Sequence, residues 1–272
     1  MLAGKHITAH YPGAAVPALH DVSCHVDRGE ILGVLGPNGS GKSTLLSALS
    51  GMLALREGTA LLDGVDVTAL SHRERARRMA WVPQRPENIP DLTVRDMVLM
   101  GRYAHLPFLG RYGAGDKALV EAAMREADVE RLADRSACTL SGGEFQRALA
   151  ARAFAQCAPA QDFSGEHDET FFLDEPSAGL DAAHAVALFD TVRQRVARYG
   201  SRVVVAIHDC NLAALYCDRM VFLQGGRVLA SGTVTELYTE SMLYALYGAR
   251  FSIVPHPTTG LPQALLIPGE SA

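Results

Sequence analysis

The sequence predicts an α/β fold with a mainly parallel sheet, an N-terminal antiparallel β portion and an inserted helical subdomain. Three observations carry this. Short apolar runs beginning at Ile31, Thr170 and Arg202 alternate with helix-period segments, as strands buried on both faces do. A glycine-rich loop, Gly36 to Ser43, lies between the first run and a helical segment. Residues 93–156 are nearly all helical by periodicity and interrupt the alternation.

In chain order, residues 1–30 alternate as short strands and turn at Asp27-Arg28-Gly29. Ile31–Gly36 is a buried strand, and Ser43–Gly51 a helix with Leu45, Leu46, Ala48 and Leu49 on its inner side. Thr59–Val67 reads as a hairpin around Asp63-Gly64, Arg73–Arg78 as a basic helix, and Met79–Pro83 as a strand. Helices follow over 93–102 and 117–133, the second capped by Asp116, with a Gly/Pro loop over 106–115 between them. Gly142–Gln156 is the next helix, ended by the polar segment Ala158–Glu169. Thr170–Pro176 and Arg202–Asp209 are buried strands flanking a helix over 182–199. Arg219–Gly232 is a hairpin turning at Gly225-Gly226, and the last twenty or so residues read as loosely packed. The division expected is a core of 1–92 and 157–250, a helical subdomain of 93–156 and a tail of 251–272.

The chain has 272 residues, 48% hydrophobic and 20% charged, which is ample for a buried core. Its net charge of −5 argues against a nonspecific nucleic-acid binder. Cys24, Cys138, Cys157, Cys210 and Cys217 show no C-x-x-C spacing and read as buried reduced thiols. His6, His10, His20 and His25 lack ligand spacing and read as surface residues. No signal-peptide core and no run of 18 apolar residues is present, so no membrane span is expected.

Gly36, Pro37, Asn38, Gly39, Ser40, Gly41, Lys42, Ser43 and Thr44 satisfy GxxxxGK[ST] between a strand and a helix, the P-loop arrangement. Its glycines let backbone N–H groups curl around an anion, and Lys42 places a charge near the β/γ-phosphates. The Ser43 hydroxyl can ligate Mg²⁺. The strand Thr170–Leu173 delivers Asp174 and Glu175 to its end. Asp174 can hold Mg²⁺ through water and Glu175 can take a proton from an attacking water. His208 and Gln84 also end strands. By themselves they are as well read as surface residues, and in this context as a γ-phosphate sensor and a group reaching metal or water. Tyr11 has two readings, a Tyr-Pro turn and a stacking platform for adenine. Leu140–Arg147, LSGGEFQR, sets a serine and two glycines before a helix, a second phosphate-binding device.

Over about residues 3–250 these pieces resemble the ATP-binding subunit of ABC transporters. GPNGSGKST resembles Walker A, WVPQ the Q-loop with Gln84, LSGGEFQR the signature motif, and TFFLDEP Walker B with the catalytic Glu175. Ser177–Asp181 resembles the D-loop, His208 the switch histidine, and Tyr11 falls where the adenine-stacking aromatic lies. The resemblance implies ATP and Mg²⁺ as cofactors, the metal held by Ser43, Gln84 and Asp174. It implies a head-to-tail dimer in which Ser141, Gly142 and Gly143 serve the partner's ATP and Asp181 borders it. The D-loop departs from the family in reading SAGLD where many relatives carry a threonine-serine-alanine run.

A single ATPase unit without a membrane part resembles an importer subunit, with two transmembrane permease subunits and a periplasmic or surface substrate-binding protein as partners. Gly101, Arg102 and His105 match a GR-x-x-H segment of ATPases serving iron-siderophore, haem and vitamin B12 importers. The insertion Ala158–Glu169 resembles the link before Walker B in haemin-import ATPases, so haem is the expected substrate and ferric siderophore or vitamin B12 the alternative. A soluble ABC ATPase acting on nucleic acid or ribosomes is disfavoured by the charge. The expected location is the cytoplasmic face of the cell membrane. Residues 85–92, bordered by Arg95, Arg102 and Tyr103, are expected to line a groove for a permease helix.

Overall fold

The computed structural model describes residues 1–84, 91–107, 109–159 and 168–269. The expected permease-facing segment after Gln84 (85–90) and most of the insertion (160–167) lie outside the described residues. The elements are β1 (Leu2–Ala9), β2 (Leu19–Val26), β3 (Ile31–Leu35), α1 (Lys42–Leu49), β4 (Glu57–Leu62), β5 (Val65–Asp66), α2 (His72–Arg78) and β6 (Met79–Val82). Then come α3 (Val94–Leu99), α4 (Ala114–Glu126), α5 (Gly142–Cys157), β7 (Thr170–Asp174), α6 (Ala182–Tyr199), β8 (Arg202–Ala206) and α7 (Cys210–Tyr216). The chain closes with β9 (Arg219–Gln224), β10 (Arg227–Thr233), α8 (Val234–Leu237), α9 (Glu240–Tyr247), β11 (Phe251–Pro255) and β12 (Pro262–Leu266). Two compact units divide it, Met1–Thr68 with Val204–Ala272, and Ala69–Val203. The division runs through β8.

In the first unit, an antiparallel sheet has the order β2-β1-β4-β5. Its β4–β5 turn puts Asp63 at φ 50° and Gly64 at φ 83°, the left-handed pair that a two-residue hairpin uses. A second sheet runs β10-β9-β3-β8, with β3 and β9 parallel and β9–β10 a hairpin turning at Gly225-Gly226. Every residue of β3 is buried, as its unbroken apolar run requires. The residues after 250 do not lie loose: β11 and β12 pair antiparallel. Asn211 of α7 ties them down. It donates from Nδ2 to the Ala264 carbonyl at 3.2 Å, and its Oδ1 accepts from the Ala264 N–H at 2.7 Å and the Tyr238 hydroxyl at 2.8 Å. Proline-rich composition hides a hairpin whose anchor is 53 positions away.

In the second unit, β8-β7-β6 follow in order, with β6 and β7 parallel. Helix α5 is buried along most of its length, and Phe154 meets Phe171 of β7 edge-on at 5.3 Å. Helix α4 spans Ala114–Glu126 rather than 117–133. Asp128 at φ 52° ends the α-helical path, and only a 3₁₀ turn follows at Glu130–Leu132. Asp116 is therefore not the cap but lies inside the first turn, accepting from the Gly113 N–H at 3.0 Å. Glu169, expected in a polar loop, is buried. Arg195 donates to it from Nε at 2.9 Å and from Nη2, Ser201 Oγ donates at 2.8 Å, and Arg195 Nη1 reaches Glu126 at 2.7 Å. A carboxylate without exposure requires such partners. Cys24, Cys157 and Cys217 are buried as expected. Cys138 is exposed in a 3₁₀ turn and Cys210 is half-buried in the first turn of α7. Among the described residues no helix is long and apolar enough to cross a membrane.

Candidate functional site

The first unit supplies the phosphate loop. Strand β3 ends in Gly36, and the chain turns through Pro37–Gly41 into α1. Gly41 is the N-cap with φ 105°, a left-handed geometry that a side chain would strain. A Cβ at Gly36 would overlap the Leu223 carbonyl oxygen and lie 2.5 Å from Ser40 Oγ. The hairpin turn straps the loop from outside: the Gly226 N–H donates to the Ser40 carbonyl at 3.0 Å and the His20 N–H to the Gly226 carbonyl at 2.8 Å. Lys42 is buried, and its Nζ donates to the carbonyls of Gly36 at 3.0 Å and Pro37 at 3.2 Å. The ammonium is thus held over the loop. Ser40 Oγ is buried without a hydrogen-bond partner among the described residues. A cradle closed to side chains, a helix N-terminus and a fixed cation fit a polyphosphate.

Tyr11 is half exposed, and its hydroxyl shares a hydrogen bond with Thr44 Oγ1 at 3.1 Å, which fixes the ring beside the first turn of α1. His208 is exposed just past β8. Asp209 follows as the N-cap of α7, accepting from the N–H groups of Asn211 at 2.9 Å and Leu212 at 3.0 Å.

The second unit carries the acidic and amide residues singled out from the sequence. Asp174, half-buried, ends β7, and Glu175 follows in the left-handed region at φ 48°. Glutamate rarely adopts this conformation, and such outliers cluster where a side chain must be aimed. Gln84 is exposed after β6, and Gln146 Nε2 of α5 donates to the preceding Pro83 carbonyl at 3.4 Å. Ser141 caps α5: its Oγ accepts from the Glu144 N–H at 3.3 Å, and its own N–H donates to Glu144 Oε2 at 2.9 Å. That backbone bond holds the Glu144 carboxyl below its ordinary range. Gly142 and Gly143 fill the first turn, where helical N–H groups lack carbonyl partners within the helix. Asp181 caps α6, and bonds from the His184 N–H and ring lower its pKa. Among the described residues no three His, Cys, Asp or Glu side chains gather to hold a metal. Mg²⁺ does not need them, since it keeps several waters and takes one or two carboxylates.

The family model for ABC transporters matches residues 19–161. The hemin import ATP-binding protein HmuV of Pseudomonas fluorescens is 43% identical over 245 residues, covering 90% of this chain and 92% of that protein. This chain belongs to the ABC transporter family. The cobalamin import ATP-binding protein BtuD of Halobacterium salinarum is 39% identical over 260 residues, covering 95% of this chain and 62% of that one. The inward-facing structure of a metal-chelate type ABC transporter superposes with a TM-score of 0.82 at 23% identity, covering 98% and 97% of the two chains. A dimeric bacterial ABC transporter cassette superposes at 0.72 and 26% identity, covering 86% and 98%.

In this ABC ATPase, the residues singled out from the sequence sit at strand ends and helix caps. Arg102 differs from expectation. It does not border a groove but is 1% exposed, with Nη1 donating to the carbonyls of Ala155 at 2.7 Å and Ala158 at 2.6 Å, and Nε to Asp116 at 3.0 Å. His105 Nε2 meets the Gln156 carbonyl at 2.8 Å. Burial lowers its pKa, so the ring is neutral and its Nε2–H donates. Together these residues cap the C-terminus of α5, the helix whose N-terminus carries the signature motif. A Cβ at Gly101 would lie 2.5 Å from the Arg152 carbonyl, so the segment must approach α5 without a side chain. Arg95 pairs with Glu121 and Asp134. Tyr103 lines a groove of about 590 Å³ with His72, Arg73, Ala76, Leu106 and Leu109, whereas most of the segment expected to form the permease groove, 85–90, lies outside the described residues. His184 joins Gly143 to Asp181 without any motif to mark it. Its only local signal was its place three residues after the helix cap Asp181.

Proposed function

We propose that this chain is the ATP-hydrolysing subunit that powers haem import through a separate membrane permease, working as a head-to-tail dimer on the cytoplasmic face of the membrane. The observation that carries the dimer is the capped turn Ser141–Gly143, presented at the start of α5 in a chain with a complete phosphate loop of its own. A second anion device is explained if it serves another molecule's nucleotide. The dimeric cassette similar to this chain supports that reading.

In this mechanism Gly36–Thr44 hold the ATP phosphates through backbone N–H groups and Lys42, and Tyr11 stacks on the adenine. Mg²⁺, when bound, neutralises charge developing on the phosphates; Ser43, Asp174 and Gln84 would hold it. Glu175 accepts a proton from the attacking water, while Gln84 and His208 orient groups at the γ-phosphate. Ser141, Gly142 and Gly143 close on the partner's γ-phosphate, with Asp181 at its border. ATP binds the closed dimer better than the open one, so it shifts the population towards closure.

Haem is favoured because HmuV relatives match at 40–43% identity over at least 90% of both chains. The cobalamin relative supports vitamin B12 as the second reading. The groove beside Tyr103, with exposed Leu109 on its rim, is apolar enough to receive a permease helix.

Two measurements test this. Glu175→Gln should accumulate an ATP-bound dimer and lose turnover by at least about a hundredfold, within the range for a lost general base; an unchanged ATPase rate would remove Glu175 from catalysis. Vesicles carrying the native permease with this subunit should take up haem only with ATP. Cobalamin or a ferric siderophore moving instead would overturn the substrate.

A further inference from the structure

The second unit places a histidine where the signature motif and the D-loop meet. Asp181 Oδ1 accepts from the His184 N–H at 2.9 Å and lies 2.7 Å from the ring Nδ1. A carboxylate only accepts, so Nδ1 carries the proton and the tautomer is set. The other side of the same imidazole faces Gly143. A Cβ built on that glycine would lie 2.6 Å from His184 Cγ and 2.8 Å from its Cβ. No real Cβ sits that close, so the ring fills the space into which a side chain at 143 would point. Gly143 is buried beneath it, while the imidazole remains 40% exposed. One ring therefore touches the first turns of two helices, α5 with the signature turn and α6 with Asp181.

We propose that His184 is a positioning residue that makes the signature turn and the D-loop aspartate move as one body. Packing against Gly143 fixes the pitch of the Gly142–Gly143 amides, and the Nδ1–H bond fixes the Asp181 carboxylate. Closure on a partner's phosphate then sets both groups together. Glycine at 143 is required on its own chain's side, by the histidine, as well as by any ligand in front of it. This rests on the shared-site reading above.

The test is a double-mutant cycle in the Glu175→Gln chain, reading the ATP-dependent dimer dissociation constant by analytical ultracentrifugation. His184→Ala should weaken the dimer about tenfold, with ATP binding to the monomer unchanged. Gly143→Ala should weaken it more, because its Cβ drives against the ring. Combining them should recover about tenfold relative to the product of the two single effects, the size expected for residues in contact. Any obstruction of the partner's phosphate by the methyl group that Gly143→Ala adds is present with and without His184 and cancels in the cycle. His184→Asn keeps a donor towards Asp181 and should fall between His184→Ala and the parent, which a purely structural loss would not produce. Multiplicative single effects, or a His184→Ala dimer as tight as the parent, overturn the proposal alone. A Glu175→Gln chain that stays monomeric in ATP overturns the shared-site reading and this inference with it.

Discussion

Replacing Arg102 with alanine should destabilise the second unit more than any comparable surface change. The side chain is 1% exposed and makes three charge-assisted bonds, two to carbonyls at the end of α5 and one to Asp116. Alanine leaves those carbonyls without their donor and the Asp116 carboxylate without its cation. Removing one partner of a buried pair costs about 3–5 kcal/mol. The Asp116 side chain is 18% exposed and keeps its bond from Gly113, which favours the lower end, about 3 kcal/mol. At about 4 °C per kcal/mol for a unit of this size, the midpoint should drop by about 12 °C. Trp81 is the sole tryptophan, lies on β6 in the same unit, and stacks with Phe172 at 6.0 Å, so its fluorescence reports this transition. Arg102→Lys keeps a charge but not the fork, and should lose about half as much. Asp116→Asn added to Arg102→Ala should cost far less than it does alone. A midpoint shift below about 3 °C for Arg102→Ala would refute the capping role, since even one lost charge-assisted bond should exceed it.

Other outcomes follow from the same geometry. Burial lowers the His105 pKa in the folded state. Its stabilising contribution is therefore complete above the unfolded value of 6.5 and is lost as pH falls from there towards the folded pKa. His105→Gln should flatten that part of the Trp81 melting profile between about pH 7.5 and about pH 5.5, and an unchanged slope would mean that another group titrates. Ser141→Arg should abolish hydrolysis in the dimer while a fluorescent ATP analogue still binds the monomer with the parent affinity. Normal turnover in that variant would reject the shared site.

Much of the candidate site was legible because its chemistry is local. Lys42 is the first residue of a helix, and Ser141 and Asp181 are helix caps, so three or four neighbouring residues specify where each sits. The same holds for Asp174 and Glu175, which follow directly from an apolar strand. Turns at Asp63-Gly64 and Gly225-Gly226 were readable from residue type for the same reason. What failed was long-range. Periodicity carries helix α4 past its end because the pattern does not register one left-handed aspartate at 128. The end of the chain reads as loose because its composition does not register the anchor at Asn211, 53 positions away.

The sequence by itself determined the α/β alternation, the phosphate loop, the capped signature turn and membership of the ABC family. Each is set by hydrogen bonds and backbone conformations that span a few residues. Only the tertiary structure decided what Arg102, Glu169 and His184 do. A buried guanidinium must find carbonyls, a buried carboxylate must find donors, and an imidazole must find space over a glycine. Those partners stand 53, 26 and 41 positions away in the chain (Arg102 to Ala155, Glu169 to Arg195, Gly143 to His184). Desolvation makes these pairings obligatory, but packing alone chooses which residues meet.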